Sequence, residues 1–122
     1  MRTIKFRAWD NQLNQWARGK DLDYANILNF PVNDYFIKDG HEVDRWSFSQ
    51  FTGLHDKNGK EIYEGDIVNS HANFELPYFR EVVYDRCGLT FKPQTGFILC
   101  KENEFHFDVI GNIYQNPELL TP

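Results

Sequence analysis

Four carboxylates, Asp56, Glu61, Glu64 and Asp66, fall within an 11-residue stretch of this 122-residue chain. Two such groups held in one cleft can act as general acid and general base, provided their surroundings keep one protonated and the other ionised. The same stretch contains Asn58-Gly59 and Gly65, however, and turns recruit Asp and Glu to accept hydrogen bonds from their own backbone. The local explanation is therefore favoured. Other reactive side chains are scattered: His41, His55, His71 and His106 lack the short spacings of a zinc site, and a centre built from His41, His55 and Asp66 depends on the fold to assemble it. Cys87 and Cys100 form no metal or redox pair and are expected as free thiols. Ser47, Ser49 and Ser70 lie outside any nucleophile elbow, and the chain has no phosphate loop, dinucleotide fingerprint or Cys-His signature. These residues predict a protein that is not an enzyme, with no catalytic residue, cofactor or metal.

Charge and aromatic content suggest a second chemistry. The formal net charge is -5 and the pI about 5.3, which disfavours a general nucleic-acid binder. Residues 1 to 20 nevertheless hold five of the 13 Lys and Arg (Arg2, Lys5, Arg7, Arg18, Lys20) and one of the 18 acids, Asp10. Lys5, Arg7, Arg18 and Lys20 on phosphates, with Trp9 or Trp16 stacking on bases, would make a local nucleic-acid or anion contact. The plainer reading is a basic hairpin facing solvent or an acidic body. Aromatic residues make up 16% of the chain, and core packing accounts for most of them before a stacking surface does.

The elements that must position these residues are read from turns and alternation. Asn58-Gly59 first suggests a two-residue hairpin, but that register sets Lys57 opposite Lys60 and Asp56 opposite Glu61, two unfavourable like-charge pairs. A three-residue loop, Lys57-Asn58-Gly59, with Gly59 in the left-handed region, pairs Asp56 with Lys60, His55 with Glu61 and Leu54 with Ile62. This second register is expected. Tyr63-Glu64-Gly65-Asp66 places glycine third, as a type II turn requires. Two sharp changes of direction so close together predict small, strongly bent antiparallel sheets or a partly open SH3-like barrel.

Along the rest of the chain, Thr3 to Trp9 alternates with Ile4, Phe6 and Ala8 on one face and Lys5, Arg7 and Trp9 on the other. Asp10 to Asn14 is a polar turn, and Gln15 to Ala17 returns with Trp16 across from Phe6 or Ala8, giving an N-terminal hairpin whose Lys5 and Arg7 protect an edge. Residues 21 to 30 fit helix or strand equally and end at Pro31. Tyr35 to Lys38, Asp39-Gly40 and His41 to Val43 form a second hairpin. Arg45 to Thr52 alternates into the central stretch, and 69 to 77 is a loop. Strands are expected at Tyr78 to Asp85, Leu89 to Lys92, Gly96 to Cys100 and Phe105 to Ile110, with Gly88 free to take positive φ and with Phe105, Phe107 and Val109 on one face. Gly111-Asn112 breaks the last strand, and Asn116-Pro117 starts a short helical turn that docks Leu119 and Leu120.

The segment from Thr52 to Val68, TGLHDKNGKEIYEGDIV, resembles the signature of the YopX family of small phage and prophage proteins. The opening IKFRAWD (Ile4 to Asp10) and the closing VIGNIYQNPELL (Val109 to Leu120) are similar to that family's first strand and last segment. The likeness is weaker over 17 to 47 and 70 to 104. It spans nearly the whole chain, whose length fits a single domain over 1–122, and turn geometry makes Asp56, Asn58, Gly59, Gly65 and Asp66 a structural turn signature. No biochemical activity comes with the resemblance.

The absence of an apolar leader and of a run near 18 apolar residues leads to the expectation of a cytoplasmic protein without a membrane partner. The leading expectation is a phage or prophage accessory protein: a homo-oligomer that binds a phage or host protein through a sheet face or edge. The alternative is a small nucleic-acid-binding barrel using the basic hairpin. A weaker third reading is an acidic mimic of DNA.

Overall fold

In the computed structural model the described residues are 4–17, 22–23, 33–70, 78–85, 88–92 and 98–120. They form eleven strands and two 3-10 turns, with all described pairings antiparallel, so the protein is mainly β. Two compact units are distinguished, Met1–Gln50 and Phe51–Pro122.

The first unit is built on β1 (Lys5–Asp10), which is central and not an edge. On one side it pairs with β2 (Gln15–Trp16) and β3 (Leu22–Asp23), and on the other with the first half of β6 (Trp46–His55). The expectation that Lys5 and Arg7 guard an edge is therefore corrected. So is the pairing of Trp16, which lies opposite Trp9. The four-residue loop sets this register: the Asn14 amide donates to the Asp10 carbonyl, and Asn14 takes a φ of 55°. Ala8 and Ala17 are buried, with Phe6, Trp46 and Phe48 packed against them. Small residues at 8 and 17 let large rings close over the sheet.

β4 (Tyr35–Lys38) and β5 (His41–Asp44) form a separate two-stranded ribbon, with Lys38 opposite His41. Its turn has positive φ at both Asp39 and Gly40, 53° and 80°, the mirror-image turn that an Asp-Gly pair favours.

The second unit orders its strands β10-β9-β8-β11, where β8 is Asp66–Ser70, β9 Tyr78–Asp85, β10 Gly88–Lys92 and β11 Phe107–Asn112. The second half of β6 pairs with β7 (Glu61–Tyr63). The core joins Ile62, Val68, Val82, Leu89, Phe91, Leu99 and Phe107, with Phe91 and Phe107 rings 4.9 Å apart. Along β10 burial alternates, with Leu89 and Phe91 on the core face, whereas β8 buries Asp66, Ile67 and Val68 in succession.

Several expectations for this unit are corrected. Strand β8 extends to Ser70, and Ile98–Cys100 is irregular, tied to β10 by the Leu99 amide donating to the Leu89 carbonyl. Glu104–His106 is a 3-10 turn, which removes Phe105 from the strand and leaves it 58% exposed. Strand β11 runs through Gly111-Asn112 by means of a bulge after Val109. The chain then turns at a self-satisfied Asn112, whose Oδ1 accepts the amides of Tyr114 and Gln115. Pro117–Leu120 forms the short helical turn, as 3-10, with Leu119 and Leu120 half-buried. The helix-or-strand question over 21 to 30 lies outside the described residues, apart from the Leu22–Asp23 strand; so do His71, Cys87 and residues 71–77 of the loop expected over 69 to 77.

Candidate functional site

The turn after β6 has the register that avoids like charges. Leu54 faces Ile62 and His55 faces Glu61, while the Asp56 amide donates to the Lys60 carbonyl at 2.8 Å. The Gly59 amide donates to the Asp56 carbonyl at 3.0 Å, and Gly59 has φ 81°. A side chain there would be strained by backbone conformation alone, since nothing stands near its Cβ direction.

The Asp56 carboxylate is buried and fully engaged by backbone. Oδ1 accepts the amides of Asn58 and Lys60 at 2.8 and 2.9 Å, and Oδ2 accepts the amide of Val109 at 2.9 Å. Two further bonds run beside it: the Lys57 amide donates to the Phe107 carbonyl, and Asn58 Nδ2 donates to Asp108 Oδ1. The loop therefore covers the side of β11 that β8 leaves open, which protects it from pairing with another chain.

Asp66 plays a related part at the next turn, where its Oδ2 accepts the Tyr63 amide at 2.7 Å in a buried setting. Gly65, φ 88°, donates its amide to the Val82 carbonyl and accepts at its carbonyl from Ile113. The positive φ needed by the turn also aims this peptide at two neighbouring segments. Upstream, Thr52 fills an irregularity between Phe51 and Leu54: its hydroxyl donates to the Ile62 carbonyl at 2.6 Å and accepts the Leu54 amide at 3.1 Å.

The signature is thus a set of backbone clamps, and its buried carboxylates face amides instead of an open cleft. His55 stands edge-on to Phe51, its amide held by Glu104 Oε2 at 2.8 Å. Burial raises the Glu104 carboxyl, but that amide and the Lys101 ammonium at 2.9 Å more than offset it and hold the group below its ordinary value. His41 is exposed on β5, and His106 is exposed against the Phe105 ring. Among the described residues no three His, Cys, Asp or Glu side chains are grouped to hold a metal ion. Cys100 is a free thiol.

On β1, Lys5, Arg7 and Trp9 share one face, as alternation implies. Arg7 Nε donates to Ser49 Oγ at 3.1 Å and its guanidinium lies 4.3 Å over the Trp16 ring. Trp9 meets Trp16 edge-on at 5.0 Å and is only 5% exposed, so it offers no ring face to a base. Arg18 and Lys20 lie outside the described residues. At the end of β1 stands a group that the sequence did not single out. Asp10, 2% exposed, accepts the amides of Gln12 and Leu13 and an Arg45 guanidinium at 3.0 Å. Burial pushes the Asp10 carboxyl up, yet the Arg45 hydrogen bond and the two amides outweigh it and leave it below the ordinary aspartate value. The clue in the sequence was an Asp opening a polar turn, where its carboxylate can accept from the backbone ahead.

A family model described as YopX protein matches residues 5–121. The chain belongs to the YopX family. Among solved structures it is similar to protein EF1440 from Enterococcus faecalis, at 27% identity and a TM-score of 0.64, covering 98% of this chain and 99% of that one. No curated protein matches the sequence. Among the described residues no helix is long and apolar enough to cross a membrane.

Proposed function

We propose that this YopX protein is a non-enzymatic accessory protein of a phage or prophage, acting in the host cytoplasm as a self-associating protein-binding module. The observation that carries the reading is the use made of the signature carboxylates. Asp56 and Asp66, two of the four carboxylates in the densest group of potentially reactive residues, accept backbone amides in buried positions and so hold turns together. Apolar side chains meanwhile stand in solvent, with Ile37 71% and Leu13 57% exposed. Large exposed aliphatic groups suit contact with protein surfaces.

Nucleic-acid binding has weaker support, because Trp9 is buried and Arg7 is engaged by Ser49 and Trp16. Affinity capture from a bacterial host lysate, with and without nuclease, separates the two readings. Protein recovered equally in both conditions, together with a mass above the monomer by light scattering, is the expected result. Loss of all captured material on nuclease treatment would overturn the reading in favour of nucleic acid.

A further inference from the structure

Among the described residues, the outer edge of β4 pairs with no strand. The Arg45 amide donates to the Asp34 carbonyl, which continues the ladder beyond the Tyr35–Asp44 pair and fixes its phase. In an antiparallel ladder, hydrogen-bonded pairs alternate with non-bonded ones, so Asp34, Phe36 and Lys38 direct their backbone groups at β5. Tyr35 and Ile37 direct theirs outward, where among the described residues no strand pairs with them. Their side chains share one face and are 50% and 71% exposed. A two-stranded ribbon is marginal by itself, and Tyr35, Phe36 and Ile37 make the outer strand apolar except for Lys38 at its end.

We infer that β4 pairs antiparallel with β4 of a second copy of this chain, across a two-fold axis at Phe36, to make a four-stranded sheet from two ribbons. The inference rests on the self-associating reading above and specifies its interface. Phase limits the choice, because only Tyr35 and Ile37 present outward backbone groups. Pairing Tyr35 of one copy with Ile37 of the other satisfies both residues twice over. That register brings the exposed Tyr35 and Ile37 side chains together on one face. It also sets Lys38 of each copy opposite Asp34 of the other, so opposite charges meet at both ends. Asp34 already faces Arg45 Nη1 at 3.3 Å, and Lys38 of the second copy joins that ion pair from the other side. A symmetric contact of this kind is self-complementary, as a two-fold interface must be.

The test is light scattering over a concentration series with variants of the full chain. Ile37→Pro removes an outward amide without breaking the β4–β5 ladder, and Lys38→Glu places like charges at both ends of the contact. Each is expected to raise the concentration for half-association at least tenfold. Lys38→Glu, at an exposed position, remains informative if the proline variant misfolds. For register, Phe36→Cys brings two thiols opposite each other at a non-bonded pair about 4.5 Å apart between Cα atoms, within disulfide reach. Ile37→Cys leaves them about 7–8 Å apart on a diagonal, beyond easy bridging. Mild oxidation is expected to cross-link the first variant and leave the second, like wild type, uncross-linked. An oligomer indifferent to both Ile37→Pro and Lys38→Glu would overturn the β4 interface while leaving self-association standing. A monomer at every concentration would overturn both.

Discussion

Asp56 accepts three backbone amides, from Asn58, Lys60 and Val109, and Asp10 accepts two, from Gln12 and Leu13, beside the Arg45 guanidinium. Both carboxylates organise backbone that no strand ladder reaches. Asp56→Ala leaves those three donors, all in part-buried bonds, unpaired and is expected to cost about 3 kcal/mol in urea unfolding. Asp56→Asn keeps the shape but turns an amide donor toward one of them and should fall between. Asp10 makes a pH prediction whose sign follows from its lowered carboxyl. In the unfolded chain it titrates near 3.8, whereas in the fold it holds its charge to lower pH. Its stabilisation is therefore complete above 3.8 and is lost as pH falls through the folded value. Asp10→Asn should flatten that part of the acid-unfolding curve followed by tryptophan fluorescence. An unchanged acid limb would mean that other carboxylates dominate it.

At the scale of elements, legibility in the sequence followed the range of the interaction. The Asp39-Gly40 turn and the Asp56 loop were readable because a few adjacent residues decide them, through positive φ and through like charges that one register brings face to face. Thr52-Gly53 was missed, although a glycine inside a strand pattern is a signal for an irregular ladder. Its consequence depends on Ile62, ten residues away in sequence. Thr52→Val removes the donor to the Ile62 carbonyl and the acceptor for the Leu54 amide, and is expected to cost about 1–2 kcal/mol, whereas Thr52→Ser should recover most of it. Phe105 was misplaced for a different reason. Alternation of Phe105, Phe107 and Val109 fits a strand, but the Asn103 carbonyl accepts the His106 amide and closes a 3-10 turn first. Trp9 has the same history: alternation placed it correctly beside Arg7, and only the partner strand shows that this face is covered by Trp16.

Over the whole molecule, charge and core divide at Gln50 and not at residue 20. Residues 1–50 hold seven basic and seven acidic side chains, while 51–122 hold six basic and eleven acidic, so the second part carries the whole net charge of -5. The apparent basic end is a local excess inside a neutral segment, a weak footprint for phosphate binding. A fluorescent oligonucleotide in low salt is accordingly expected to show no salt-dependent anisotropy change with the full chain, and binding that weakens with salt and with Arg7→Ala would contradict it. Core content differs in the same way. In the first unit the described buried apolar cluster is Ala8 and Ala17 under half-buried rings, whereas the second unites seven buried side chains, from Ile62 to Phe107. Local opening follows the apolar area that holds each region, so amides of β8 and β9, central in their sheet, should exchange slowest. Those of β4 and β5 should exchange first, because that ribbon is mostly exposed and has one ladder. Hydrogen exchange at rising protein concentration adds a sharper reading. The outward amides of Tyr35 and Ile37 should gain protection as the chain associates, while the amides of β8 and β9 stay as they were.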